Sequence, residues 1–111
     1  MAFPTASVGE VLTWECDFET RVDAGGTHAE DMRLIFKIDT ISQRATMEGN
    51  AGLVDVNLHI GDDAFSFTEW VGSGAIQTTT ITRDGFGVHS RNMVILGEIV
   101  AAQHFGMCRF N

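Results

Sequence analysis

Apolar and polar side chains alternate with a period of two through most of the chain, which predicts β-strands rather than helices. The clearest case is Met32–Asp39. There Met32, Leu34, Phe36 and Ile38 share one face, and Arg33, Lys37 and Asp39 share the other. Leu53–Ile60 repeats the pattern, setting Val54, Val56, Leu58 and Ile60 against Asp55, Asn57 and His59. Val11–Phe18, a short run near Arg44–Met47, Ala64–Trp70, Ala75–Thr82, Phe86–Ile95 and about Val100–Phe110 complete eight predicted strands. Their richness in Val, Ile, Thr and Phe suits a pleated, half-buried surface.

Turn signals separate the runs: 12 glycines stand beside a single proline. The polar stretch Ala24-Gly25-Gly26-Thr27 reads as a loop, Gly61-Asp62-Asp63 and Gly72-Ser73-Gly74 as turns, and Asp84-Gly85 as a tight hairpin. An open antiparallel meander leaves two exposed edges, so the expected fold is all-β: about eight strands closing into a small barrel, the first pairing with the last. The stretch 97–106 leaves a short helix open as an alternative, because its alanines end at Gly106. At 111 residues the chain fits one domain, 1–111.

Closure makes a register prediction. If Cys16 lies opposite Cys108, then Trp14 faces Phe110 and Phe18 faces Gly106, and a one-residue slip would scatter these apolar groups. The two cysteines are then either a disulfide or two buried thiols. A second constellation follows from setting Glu69 opposite Gln77 and Thr79 opposite His89. That register puts Phe65, Phe67, Glu69, Gln77, Thr79, Ile81, His89 and Arg91 on one side. Inside a barrel these would be an apolar floor and a polar wall, as small-molecule sites are built. The simpler reading is that the same polar groups bond to one another and fix the register. Ile76, Phe86 and Val88 have the opposite parity and leave the even-numbered face open as the core. A short barrel with eight phenylalanines and two tryptophans would also fill its own interior.

The charge balance narrows the partners. With 7 basic and 15 acidic residues the net charge is −8, which makes phosphate backbones and anionic membranes poor partners. The first 31 residues hold seven acids against Arg21, either a solvated face or a docking patch for a cation or a basic partner. No apolar run nears the roughly 18 residues of a spanning helix. Residues 1–6 have neither a basic start nor an apolar core, so no leader is read and the expected location is cytoplasmic, or periplasmic if a leader was removed. A cytoplasmic protein would keep its thiols, whereas an exported one would favour the bridge.

No catalytic motif is present. Glu69 and His89 are the one plausible acid–base pair. Cys16, His104 and Cys108 would need an imported fourth ligand to hold zinc, so neither metal nor cofactor is assigned.

The segments 77–81, 88–91 and 103–108 resemble a group of small bacterial β proteins without assigned function. More broadly, the strand plan is similar to the calycins, the lipocalin and avidin type of barrel. Trp14 on the first strand and Arg109 on the last are similar to that group's packing pair, although Leu12-Thr13-Trp14 lacks its glycine. Parity also sets Arg109 on the opposite face from Trp14 if Cys16 opposes Cys108. The resemblance implies the fold and no activity. Two functional expectations follow: a non-enzymatic barrel taking a small, partly apolar or amphipathic ligand, or a protein–protein module such as a homodimer with a filled core.

Overall fold

In a computed structural model, described for residues 11–110, the chain forms eight antiparallel strands in sequential order. They are β1 (Val11–Asp23), β2 (Gly26–Asp39), β3 (Arg44–Gly49), β4 (Gly52–Ile60), β5 (Ala64–Trp70), β6 (Ile76–Thr82), β7 (Phe86–Ile95) and β8 (Glu98–Phe110). β1 pairs with both β2 and β8, so the meander closes into a barrel. The expected fold is therefore the one observed. Residues 1–6, on which the absence of a leader was read, lie outside the described residues. No helix among the described residues is long and apolar enough to cross a membrane.

The seam has the register that the apolar side chains require. Trp14 pairs with Phe110, Cys16 with Cys108 and Phe18 with Gly106. Cys16 and Cys108 form a disulfide that joins residues 92 positions apart. Gly87 and Gly106 face each other on β7 and β8. A Cβ on Gly106 would collide with the Asp17 carbonyl oxygen, and one on Gly87 would lie 2.8 Å from the Cys108 sulfur. These two glycines let β7 and β8 close over Phe18 and the bridge.

Between Phe18 and Thr20 the pairing of β1 shifts against both β2 and β8. Such a bulge exchanges the two faces of the strand beyond it. Leu12, Trp14, Cys16 and Phe18 point inward below the bulge, whereas Arg21 pairs with His28 and with the buried His104 above it. β2 keeps one parity throughout, so His28 and Glu30 share the inner face with Met32, Leu34, Phe36 and Ile38.

The core fills the end where the β2–β3, β4–β5 and β6–β7 turns lie. Phe36 stacks on Phe67 at 4.4 Å between centroids, and Trp14 meets Phe65 at 6.1 Å and Phe110 edge-on at 5.2 Å. Leu12, Ile38, Ala45, Met47 and Ile81 complete it.

Several expectations need correction. β1 and β2 extend well past the expected strands, to Asp23 and from Gly26, because the polar segment 19–31 continues their ladder as a long hairpin. The helix alternative for 97–106 fails, since that segment pairs with β7 along its length. The even-numbered face of β7 is not the core, because Phe86 is 63% exposed while His89 is fully buried. Arg109 lies outside, 3.5 Å from Asp17, so the calycin-like packing with Trp14 does not form.

Gly106→Ala is expected to cost at least about 3 kcal/mol, since backbone rather than a flexible side chain must move. Urea unfolding measures it, and a loss under about 0.5 kcal/mol would show that the seam is looser than described. Replacing both Cys16 and Cys108 by alanine should lower stability by roughly 2 to 5 kcal/mol while the barrel still folds. An unchanged denaturation midpoint would contradict that.

Candidate functional site

Antiparallel order gathers the β1–β2, β3–β4, β5–β6 and β7–β8 turns at the other end of the barrel, here called the mouth. The expected site residues divide between three levels below it. Phe65 and Phe67 belong to the packed floor. Thr79, His89 and Gln77 form a polar layer above the floor. His89 Nδ1 lies 2.6 Å from Thr79 Oγ1, and Nε2 lies 3.0 Å from Gln77 Oε1. The Gln77 carbonyl accepts from Nε2–H, so the Thr79 hydroxyl donates to Nδ1, and a neutral imidazole satisfies every partner. Glu69 is half-buried, level with Gln77. Arg91, paired with Gln77 across β6 and β7, lines the mouth.

Burial pushes the His89 imidazole down to about 4 from the ordinary 6.5, with the nearby Arg91 and His104 acting in the same direction. His104 is lowered too, chiefly by burial, although Glu30 opposes the shift.

The mouth holds charged groups that the alternation pattern did not point to. Arg21 donates from Nε to Asp23 at 3.0 Å and from Nη1 to Glu30 at 2.8 Å. His28 Nε2 lies 3.0 Å from the other oxygen of Asp23, and this hydrogen bond leads the causes that lower the Asp23 carboxyl. His104 Nδ1 lies 2.7 Å from Glu30 Oε2, a charge contact without hydrogen-bond alignment. Arg21 and Asp23 face inward because of the bulge in β1, His28 and Glu30 because β2 keeps its parity, and His104 because it continues the inner face of Cys108 on β8. The segment 19–31 is thus neither a uniformly solvated face nor an unpaired acidic patch. The signal for it was present: His28 and Glu30 continue the even-numbered face of Met32–Ile38.

A pocket of about 520 Å³ opens at the mouth. Its polar wall includes Arg21, Glu30, Arg91 and His104, and its apolar wall includes Met32, Met93, Val100 and Ala102. His104 is 2% exposed, yet its Nε2 has no hydrogen-bond partner among the described residues, and neither has the buried Arg91 Nε. Buried polar atoms are normally satisfied, so each unsatisfied one asks for a reason. No cluster of three or more His, Cys, Asp or Glu among the described residues is arranged to hold a metal ion. The zinc set considered above is consumed in any case by the disulfide.

Comparison with protein-family models, with curated proteins and with solved structures returns no match.

The His89 environment predicts an acid-sensitive fold. The folded imidazole stays neutral down to about pH 4, whereas the unfolded one takes a proton near 6.5. The unfolded state therefore binds more protons between those values, and stability falls as pH drops through them. The loss is on the order of 3 kcal/mol. Unfolding midpoints measured from pH 7.5 to 4.5 should decline in wild type and flatten in His89→Gln. A level wild-type profile would contradict the buried neutral imidazole.

Proposed function

We propose that the protein is a non-enzymatic barrel that binds a small, partly apolar molecule in its mouth. The observation that carries this reading is the half-enclosed pocket whose wall joins apolar side chains to buried polar atoms without partners. Such convergence of a few polar groups in an apolar recess is the usual make-up of a small-molecule site. Within this reading the ligand contacts shift upward from the expected set. Arg91 touches the ligand, Gln77, Thr79 and His89 form the base beneath it, and Phe65 and Phe67 support that base from the packed floor. Both nitrogens of His89 are engaged in the wall, which speaks against proton transfer between His89 and Glu69.

A second reading, a homodimer or other protein contact, is favoured by a different observation. On the outer face of β7 and β8, Val88 pairs with Phe105 and Phe86 with Met107, and Phe86, Phe105 and Met107 are exposed. Apolar ladders of this kind often mark contact surfaces.

Screening a library of small fragments by ¹H–¹⁵N NMR should separate the two readings. Binding in the mouth is expected to move the amide signals of Met93, Ala102 and His104 and to leave those of Val88 and Phe105 in place. Silence of the mouth signals at millimolar fragment, with a mass that rises with protein concentration, would overturn the ligand reading in favour of the contact surface.

A further inference from the structure

We propose that the mouth takes a compact organic acid with one negative charge, held by Arg91, with its apolar part against Met32 and Met93. This inference rests on the ligand-binding reading above and names the chemistry of that ligand.

Among the arginines of the mouth, charge pairing singles out Arg91. Arg21 lies between Asp23 and Glu30 and donates to both. Asp23 also meets His28, and Glu30 also meets His104. Every one of these ions has an opposite or hydrogen-bonding neighbour within the barrel. Arg91 does not: its contact among the described residues is the Met32 sulfur, 4.0 Å from Nη2, and its buried Nε has no partner. Arg91 is half-buried, and leaving its buried Nε–H without an acceptor is costly, a cost that an anion in the pocket would relieve.

The neighbouring groups restrict the anion. A guanidinium edge offers two donors at a spacing that matches the two oxygens of a carboxylate. A doubly charged phosphate would meet repulsion from Asp23, Glu30 and Asp31, which line the same pocket. One charge therefore fits better than two. The thioethers of Met32 and Met93 suit an aromatic or other flat apolar body, since sulfur packs favourably at ring edges.

Three probes that share one ring and differ in charge test this: benzoate, benzyl alcohol and benzylamine, titrated into the wild-type protein and followed by NMR. Benzoate should bind at least tenfold more tightly than either of the others and should shift the Arg91 Nε–H and Ala102 amide signals. Arg91→Gln should weaken benzoate roughly ten- to a hundredfold, the cost of losing a charge-assisted pair, while benzyl alcohol changes less than twofold. Arg91→Lys, which keeps the charge and loses the fork, should fall between. Equal binding of benzyl alcohol or benzylamine would overturn the acid assignment and leave the ligand-binding reading standing. If none of the three moves a mouth signal at millimolar concentration, the acid assignment fails. Whether the binding reading falls with it is then decided by the wider fragment screen. The wild-type series needs no variant, so a misfolded Arg91→Gln would not protect the proposal.

Discussion

Closure between β1 and β8 is the constraint on which the rest of the structure depends. Eight short strands have too little surface to tolerate two open edges, and pairing the first strand with the last removes both. The pairing has one good register. It sets Trp14 beside Phe110 and the two cysteines in a bridge, and it leaves only a glycine opposite Phe18. Gly87 and Gly106 are needed because the strands approach too closely there for any side chain. The bulge beside Phe18 then settles which residues of the first hairpin face inward. A one-residue change at this seam would exchange the inner and outer faces of β1 along its whole upper half.

From that seam the interior separates into three levels. At the bottom, stacked and edge-on aromatic rings pack with aliphatic side chains and exclude water. Above them Thr79, His89 and Gln77 form a layer that is polar but internally satisfied, stable only while the imidazole stays neutral. At the top the walls are uneven, because β1, β2, β7 and β8 are the long strands, of 10 to 14 residues, while β3 to β6 have 6 to 9. Charged groups can sit there because several pair among themselves and the level opens to solvent. Surface-like ion pairs of this kind add little stability. Their arrangement leaves Arg91 without an opposite charge among the described residues, which is the observation behind the proposed acid ligand.

Much of this was legible in the sequence. Alternation at Met32–Ile38 and Val54–Ile60 fixed the faces of β2 and β4. Glycine and aspartate turns bounded Ala64–Trp70 and Phe86–Ile95 at the observed residues. The cross-strand pairs Cys16–Cys108, Glu69–Gln77 and Thr79–His89, posed as conditions for the seam and two turns, are the ones observed, although Ile76, Phe86 and Val88 had left the opposite face open as the core. The mouth was hidden for a physical reason. A bulge breaks the period of two without leaving a composition signal, so Arg21 and Asp23 looked outward when counted from Phe18. The polar composition of 19–31 also imitated a loop, although it is a strand pair that lines an opening rather than a core. Sequence alternation reports burial in apolar surroundings well, and reports the inside of a polar cavity poorly.

The division of the interior rests on the odd-numbered face of β5 to β7 pointing inward, with His89 as its neutral centre. The most direct test is a long-range ¹H–¹⁵N correlation of the histidine rings, recorded from pH 8 to pH 5. The account predicts that His89 shows one neutral tautomer, protonated at Nε2 and bonded at Nδ1, with no titration over that range. A His89 ring that exchanges between tautomers and titrates near its ordinary value of 6.5 would place it in solvent. That result would contradict the register, the polar layer and the mouth above it.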